Sequence, residues 1–165
     1  MSSIGRSGLA RCAIATLLLV AGITPVPAAA EGPFTSLSGS WTGAGQVRFS
    51  GGASEALKCK AYYSPKDTGS SMGLAIRCAS QSSKIELRAS LKVQGGKVTG
   101  SWEERTFNAA GDVSGQASSN KISLSITGGG FSGSMSVGTT GSSQSVVIQT
   151  EGIGMKSVNI TLSRG

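Results

Sequence analysis

The chain contains no histidine. That removes the usual proton shuttle near neutral pH, the serine–histidine–carboxylate triad and the commonest metal ligand. Carboxylate chemistry remains, and Glu103-Glu104 is the one adjacent acidic pair. Consecutive residues of a strand point to opposite faces, so these two cannot flank one scissile bond as glycosidase carboxylates must. Glu55, Asp67, Glu86, Asp112 and Glu151 fall at turns or outward positions. No glycine-rich phosphate loop, serine elbow or serine–lysine motif is present. The expectation is a protein that is not an enzyme and uses no cofactor. What could do chemistry is recognition, through Trp41, Tyr63 and Trp102. Val98, Gly100 and Trp102 alternate onto one face, and Glu104 continues it. Glu104 is then either a polar anchor at the rim of a ligand pocket or a solvated carboxylate where the strand ends.

The elements that position these residues read from a period of two. Leu57, Cys59, Ala61 and Tyr63 alternate with Lys58, Lys60 and Tyr62, and Met72, Leu74, Ile76 and Cys78 alternate with Gly73, Ala75 and Arg77. Folding 65–70 into a hairpin loop sets Cys59 opposite Cys78, Ala61 opposite Ile76 and Tyr63 opposite Leu74. The expected disulfide would close a loop of about 20 residues and stabilise the fold by roughly 3 kcal/mol. Two buried free thiols are the alternative reading; a metal site would need carboxylate partners that are not nearby.

The same alternation marks strands over 41–49, 85–93, 98–102, 112–117, 122–126, 131–137, 145–150 and 158–162, separated by glycine, serine and asparagine turns. No segment after residue 30 shows helical periodicity. The fold class is therefore all-β, an antiparallel up-and-down meander of about 8–10 strands. It closes into a barrel, a flattened barrel or a sandwich, because open edges invite aggregation. Gly43, Gly45, Gly100, Gly115 and Gly133 lie on the inner face of their strands. They signal either tight curvature or an internal cavity.

At the N-terminus a short polar stretch with Arg6 and Arg11 precedes an apolar run over 13–23, then Pro25, Pro27 and Ala28-Ala29-Ala30. This is the pattern of a secretory signal peptide, residues 1–30, with Glu31 as the new start. The apolar run is about half the roughly 20 residues of a spanning helix, so no transmembrane anchor is expected. Removing 1–30 from 165 residues leaves 135, read as a flexible lead-in over 31–38 and one domain over 39–165. Two cysteines survive, as an oxidising compartment would favour, so the expected location is periplasmic or secreted. Thirteen basic residues then face eight acidic ones, scattered and with few aromatics between them. That argues against a nucleic-acid partner and for loose attraction to anionic cell-surface polymers.

Gly39-Ser40-Trp41 at the start of the first strand resembles the glycine-any-tryptophan opening of calycins, the lipocalin and avidin-like barrels. The resemblance implies a tryptophan packed near the closed end and covered by a late arginine, a place Arg164 could take. Thr99-Gly100-Ser101-Trp102 echoes the same device. The paired glycine-serine-tryptophan strands and the segment 76–80 are also similar to small exported bacterial β-barrel proteins of no assigned function. Two functions stay open. One is binding of a small apolar ligand by Trp41, Tyr63, Trp102 and Glu104. The other is a structural or protein-interaction module of the cell envelope with a filled core.

Overall fold

The computed structural model describes residues 31–165; the expected signal peptide lies outside the described residues. Ten antiparallel strands follow in order: β1 (Gly39–Phe49), β2 (Ser54–Lys66), β3 (Ser71–Ala79), β4 (Lys84–Gln94), β5 (Lys97–Glu104), β6 (Ala109–Ala117), β7 (Lys121–Gly128), β8 (Phe131–Thr140), β9 (Ser143–Glu151) and β10 (Met155–Arg164). Each pairs with its sequence neighbours, and β1 pairs with β10, so the sheet closes on itself. Closure decides for a barrel over a sandwich and leaves no strand edge unpaired.

Every strand proposed from the alternation is present. The β2–β3 register sets Cys59 opposite Cys78, Ala61 opposite Ile76 and Tyr63 opposite Leu74, as the pattern requires. Alternation also divides inside from outside. On β2, Leu57, Cys59, Ala61 and Tyr63 are buried and Lys58, Lys60 and Tyr62 are exposed. Links between strands are short. Gly95 and Gly96 turn β4 into β5 with φ of 57° and 79°, left-handed values that suit a two-residue hairpin turn.

Gly43 and Gly45 settle the choice between curvature and cavity for their part of the inner face. A Cβ at either position would collide with the β10 backbone, at the Thr161 and Asn159 carbonyls. Glycine here lets two strands approach where the wall bends, rather than leaving space for a guest.

The two ends of the barrel differ. At the end where β1 begins and β10 finishes, residues 31–38 do not form the flexible lead-in expected. They pack as a plug, with a short 3-10 turn over Thr35–Leu37. Phe34 and Leu37 are buried with Trp41, Tyr63, Met72, Leu91, Val98 and Leu162. The physical reason is apolar burial backed by backbone bonds: Gly32 N–H donates to the Thr68 carbonyl and Phe34 N–H to that of Gly69. Val93 and Ala117, near strand tips, keep some exposure.

Candidate functional site

Trp41 sits at the plugged end. Its indole N–H donates to the Leu37 carbonyl at 2.8 Å, and Tyr63 meets it edge-on at 6.5 Å between ring centroids. The Arg164 guanidinium lies 4.4 Å from the Trp41 ring centroid and donates to the Ser36 and Ser38 carbonyls. Arg164 thus covers the first-strand tryptophan and ties the last strand to the plug. Tyr63 is buried and donates its hydroxyl to Gln144 Oε1 at 2.7 Å. Burial pushes the Tyr63 phenol up to about 12, against the smaller opposing effect of the Gln144 bond.

Trp102 belongs to the opposite end. Its N–H donates to the Thr127 carbonyl at 3.1 Å, and its ring lies 5.3 Å from that of Phe131, beneath the β7–β8 turn. The structure therefore groups Trp41 with Tyr63 and Trp102 with Phe131, and does not bring all the sequence candidates together. Around Trp102 the inward-facing Phe49, Ile85, Leu87, Ile126, Phe131, Ile148 and Met155 pack against the core yet stay only partly buried. Phe107, in the β5–β6 loop, is 68% exposed at the same end. The result is an apolar mouth that, among the described residues, has no counterpart of the Phe34–Leu37 plug.

Glu104 faces inward and is buried, while Glu103 is exposed on the other face. It is not the solvated carboxylate of one sequence reading. One oxygen accepts from Glu86 N–H and the other from Phe107 N–H, both at 2.7 Å. Burial pushes this carboxyl up, but the bonds from Glu86, Phe107 and Thr106 together outweigh it and hold it below the ordinary carboxylate range. Glu104 is a latch that fixes the β5–β6 loop beside the mouth. Glu55 corrects a second expectation: it stands in the inward phase of β2, opposite Val47, and accepts from Ser82 N–H at 3.1 Å. Hydrogen bonds from Ser80 and Ser82 lower its carboxyl in turn. Two carboxylates thus hold two loops of the open end. Sequence reading missed this role because the loop serines and backbone N–H groups that these carboxylates meet are brought to them only by the folded wall.

Cys59 and Cys78 form a disulfide between β2 and β3, with Cα atoms 4.1 Å apart. On the outer surface over the same strands runs a groove of about 710 Å3. Its lining includes the outward residues Thr42, Ala44, Lys58, Lys60, Arg77, Ala79, Lys84 and Glu86. Basic residues that are scattered along the sequence are gathered on this wall by the β2–β4 pairing.

No protein-family model matches the sequence, and no curated protein does. Solved structures do match. The chain is similar to Rv2717c from M. tuberculosis, with a TM-score of 0.58 at 13% identity over 79% of this chain and 94% of that one. It is also similar to the S-type phycobiliprotein lyase CPES from Guillardia theta, with a TM-score of 0.54 at 14% identity over 80% and 90%. At such identities the likeness shows the fold alone.

Proposed function

We propose that this chain is an exported, non-catalytic β-barrel that binds a small, largely apolar ligand in its open end. The observation that carries the reading is the asymmetry between the ends: Phe34 and Leu37 cover the inward apolar side chains at one, where Leu74, Val93 and Ala117 keep some exposure, while Phe49, Ile85, Leu87, Ile126, Phe131, Ile148 and Met155 are only partly buried at the other. Apolar surface held inside a wall but left in contact with water gains free energy from a guest that covers it. A barrel resembling that of a phycobiliprotein lyase fits a binding role without identifying a guest. The Cys59–Cys78 disulfide is consistent with a location outside the cytoplasm, periplasmic or secreted. Among the described residues no helix is long and apolar enough to cross a membrane.

Trp102 supplies the assay, since it is packed at the mouth while Trp41 is packed at the plug. Titrating the mature protein with a panel of fatty acids and aromatic compounds should change Trp102 emission. The change should survive in Trp41→Phe and vanish in Trp102→Phe. A response carried by Trp41 would put the guest at the wrong end. Absence of any response would favour the second reading, a cell-envelope interaction module with a filled core, for which the burial of Trp102 to 5% exposure speaks.

A further inference from the structure

The outer wall of the barrel is electrostatically divided. On β7, β8 and β9 the outward positions between the strand ends carry Ser123, Ser125, Ser134, Ser136, Ser145 and Gln149, with no charge. On β2 to β4 they carry Lys58, Lys60, Arg77, Arg88 and Lys92 against Glu86, with Lys84 at the start of β4. Arg77 and Arg88 both reach Glu86, at 3.0 and 3.8 Å, and these are the ion pairs among the described residues. Lys58, Lys60 and Lys84 therefore stand uncompensated along the groove of about 710 Å3. Cross-strand neighbours make it a trough: Lys58 stands between Ala44 and Ala79, and Ala79 is paired with Lys84.

An exposed aromatic continues the row. Tyr62 follows Lys58 and Lys60 on the outer face of β2 and is 57% exposed. Its neighbours across the sheet are Ser40 and Ala75, too short to cover the ring. A cationic trough ending in a bare aromatic face suits a chain that alternates negative charge with the weakly apolar faces of rings. We infer that this wall is a docking site for an acidic polysaccharide, with Lys58, Lys60 and Lys84 pairing with its carboxylates and Tyr62 stacking against a sugar ring. A lipid bilayer is the poorer fit, because membrane-surface elements set several exposed large apolar groups beside their charges. Here Tyr62 is the large one on the wall, and Phe107 lies at the barrel mouth. The side chains assigned to the saccharide, Lys58, Lys60, Lys84 and Tyr62, face outward, away from Trp102.

The test uses the mature protein and an oligouronate hexasaccharide, followed by calorimetry. Binding should weaken roughly tenfold from low to physiological salt, as screening of exposed charges dictates. Lys58→Gln/Lys60→Gln should lose most of the affinity, and so to a lesser degree should Lys84→Gln. Tyr62→Ala should weaken binding severalfold at an unchanged salt dependence, with Tyr62→Phe restoring it. All four positions are on the outer face, so thermal midpoints should match the parent and separate a lost site from a lost fold. Trp102→Phe should leave saccharide binding intact even if the apolar site fails. The inference is overturned if the hexasaccharide does not bind. It is equally overturned if polyphosphate, single-stranded DNA or phosphatidylglycerol vesicles bind as tightly, or if Tyr62→Ala changes nothing.

Discussion

The Tyr63–Gln144 pair gives the sharpest test of how the plugged end is held. Gln144 is fully buried, its Oε1 accepts from the Tyr63 hydroxyl at 2.7 Å, and its Nε2 has no partner among the described residues. Turning the amide over does not help, because one hydroxyl cannot satisfy both ends. Tyr63→Phe removes the remaining partner and leaves a buried primary amide wholly unpaired, which costs about 1–3 kcal/mol. Gln144→Leu leaves the tyrosine hydroxyl unpaired but also removes the orphan donor, so its net cost should be smaller. In Tyr63→Phe/Gln144→Leu every polar atom of the pair is gone and the volumes are nearly kept. That double variant should lie within about 1 kcal/mol of the parent or above it. Urea unfolding with the disulfide intact measures all three, and the two losses should be sub-additive by about 1–2 kcal/mol, as contacting residues are. Strictly additive losses would refute the pairing. A double variant worse than either single one would show that the amide makes a contact that matters beyond this bond.

Other perturbations address the rest of the frame. Glu104 is held below the ordinary carboxylate range in the folded state, so its stabilising share is complete above its unfolded value of about 4.3 and is lost as pH falls through the folded value. Glu104→Gln should flatten that part of the urea midpoint measured against pH, and a profile parallel to the parent's would count against the latch. Glu104→Ala, which frees two backbone N–H groups, should cost about 1.5–3 kcal/mol. Arg164→Met removes the cation over Trp41 and the donors to the Ser36 and Ser38 carbonyls, and should cost about 1–3 kcal/mol by thermal melting. Alkylation of the denatured, unreduced protein should label neither Cys59 nor Cys78, and reduction should lower stability by roughly 3 kcal/mol. Mass spectrometry of protein from its host should find Glu31, or a residue within a few of it, as the start.

The strands were legible because a wall with one dry face writes its period into the chain. Leu57, Cys59, Ala61 and Tyr63 on one strand and Met72 to Cys78 on the next fixed even the register of their pairing. The plug was not legible, since Phe34 and Leu37 sit in a short stretch without periodicity and are recruited by surface that only the closed barrel presents. Glu55 and Glu104 were misjudged for a related reason: the loop backbone N–H groups and the small serine and threonine hydroxyls that hold them occur throughout the chain, so the partners left no distinct trace. Closure itself was expected from the burden of open edges, but which face of the closed wall would collect the lysines depended on the β2–β4 pairing.

The seam between β1 and β10 sets an order of events. Every other ladder joins strands adjacent in sequence and can form as soon as its hairpin exists, whereas Arg164 and Ser38 meet across 126 residues. The entropy of bringing such distant segments together makes that union the slow step of folding. A chain that emerges N-terminus first delivers β1 first and β10 last, so β1 must wait with one row of backbone groups unpaired until β10 arrives. Loss of β10 would prolong that wait indefinitely. A chain shortened by one strand would then assemble with its own copies, edge to edge, instead of standing open alone.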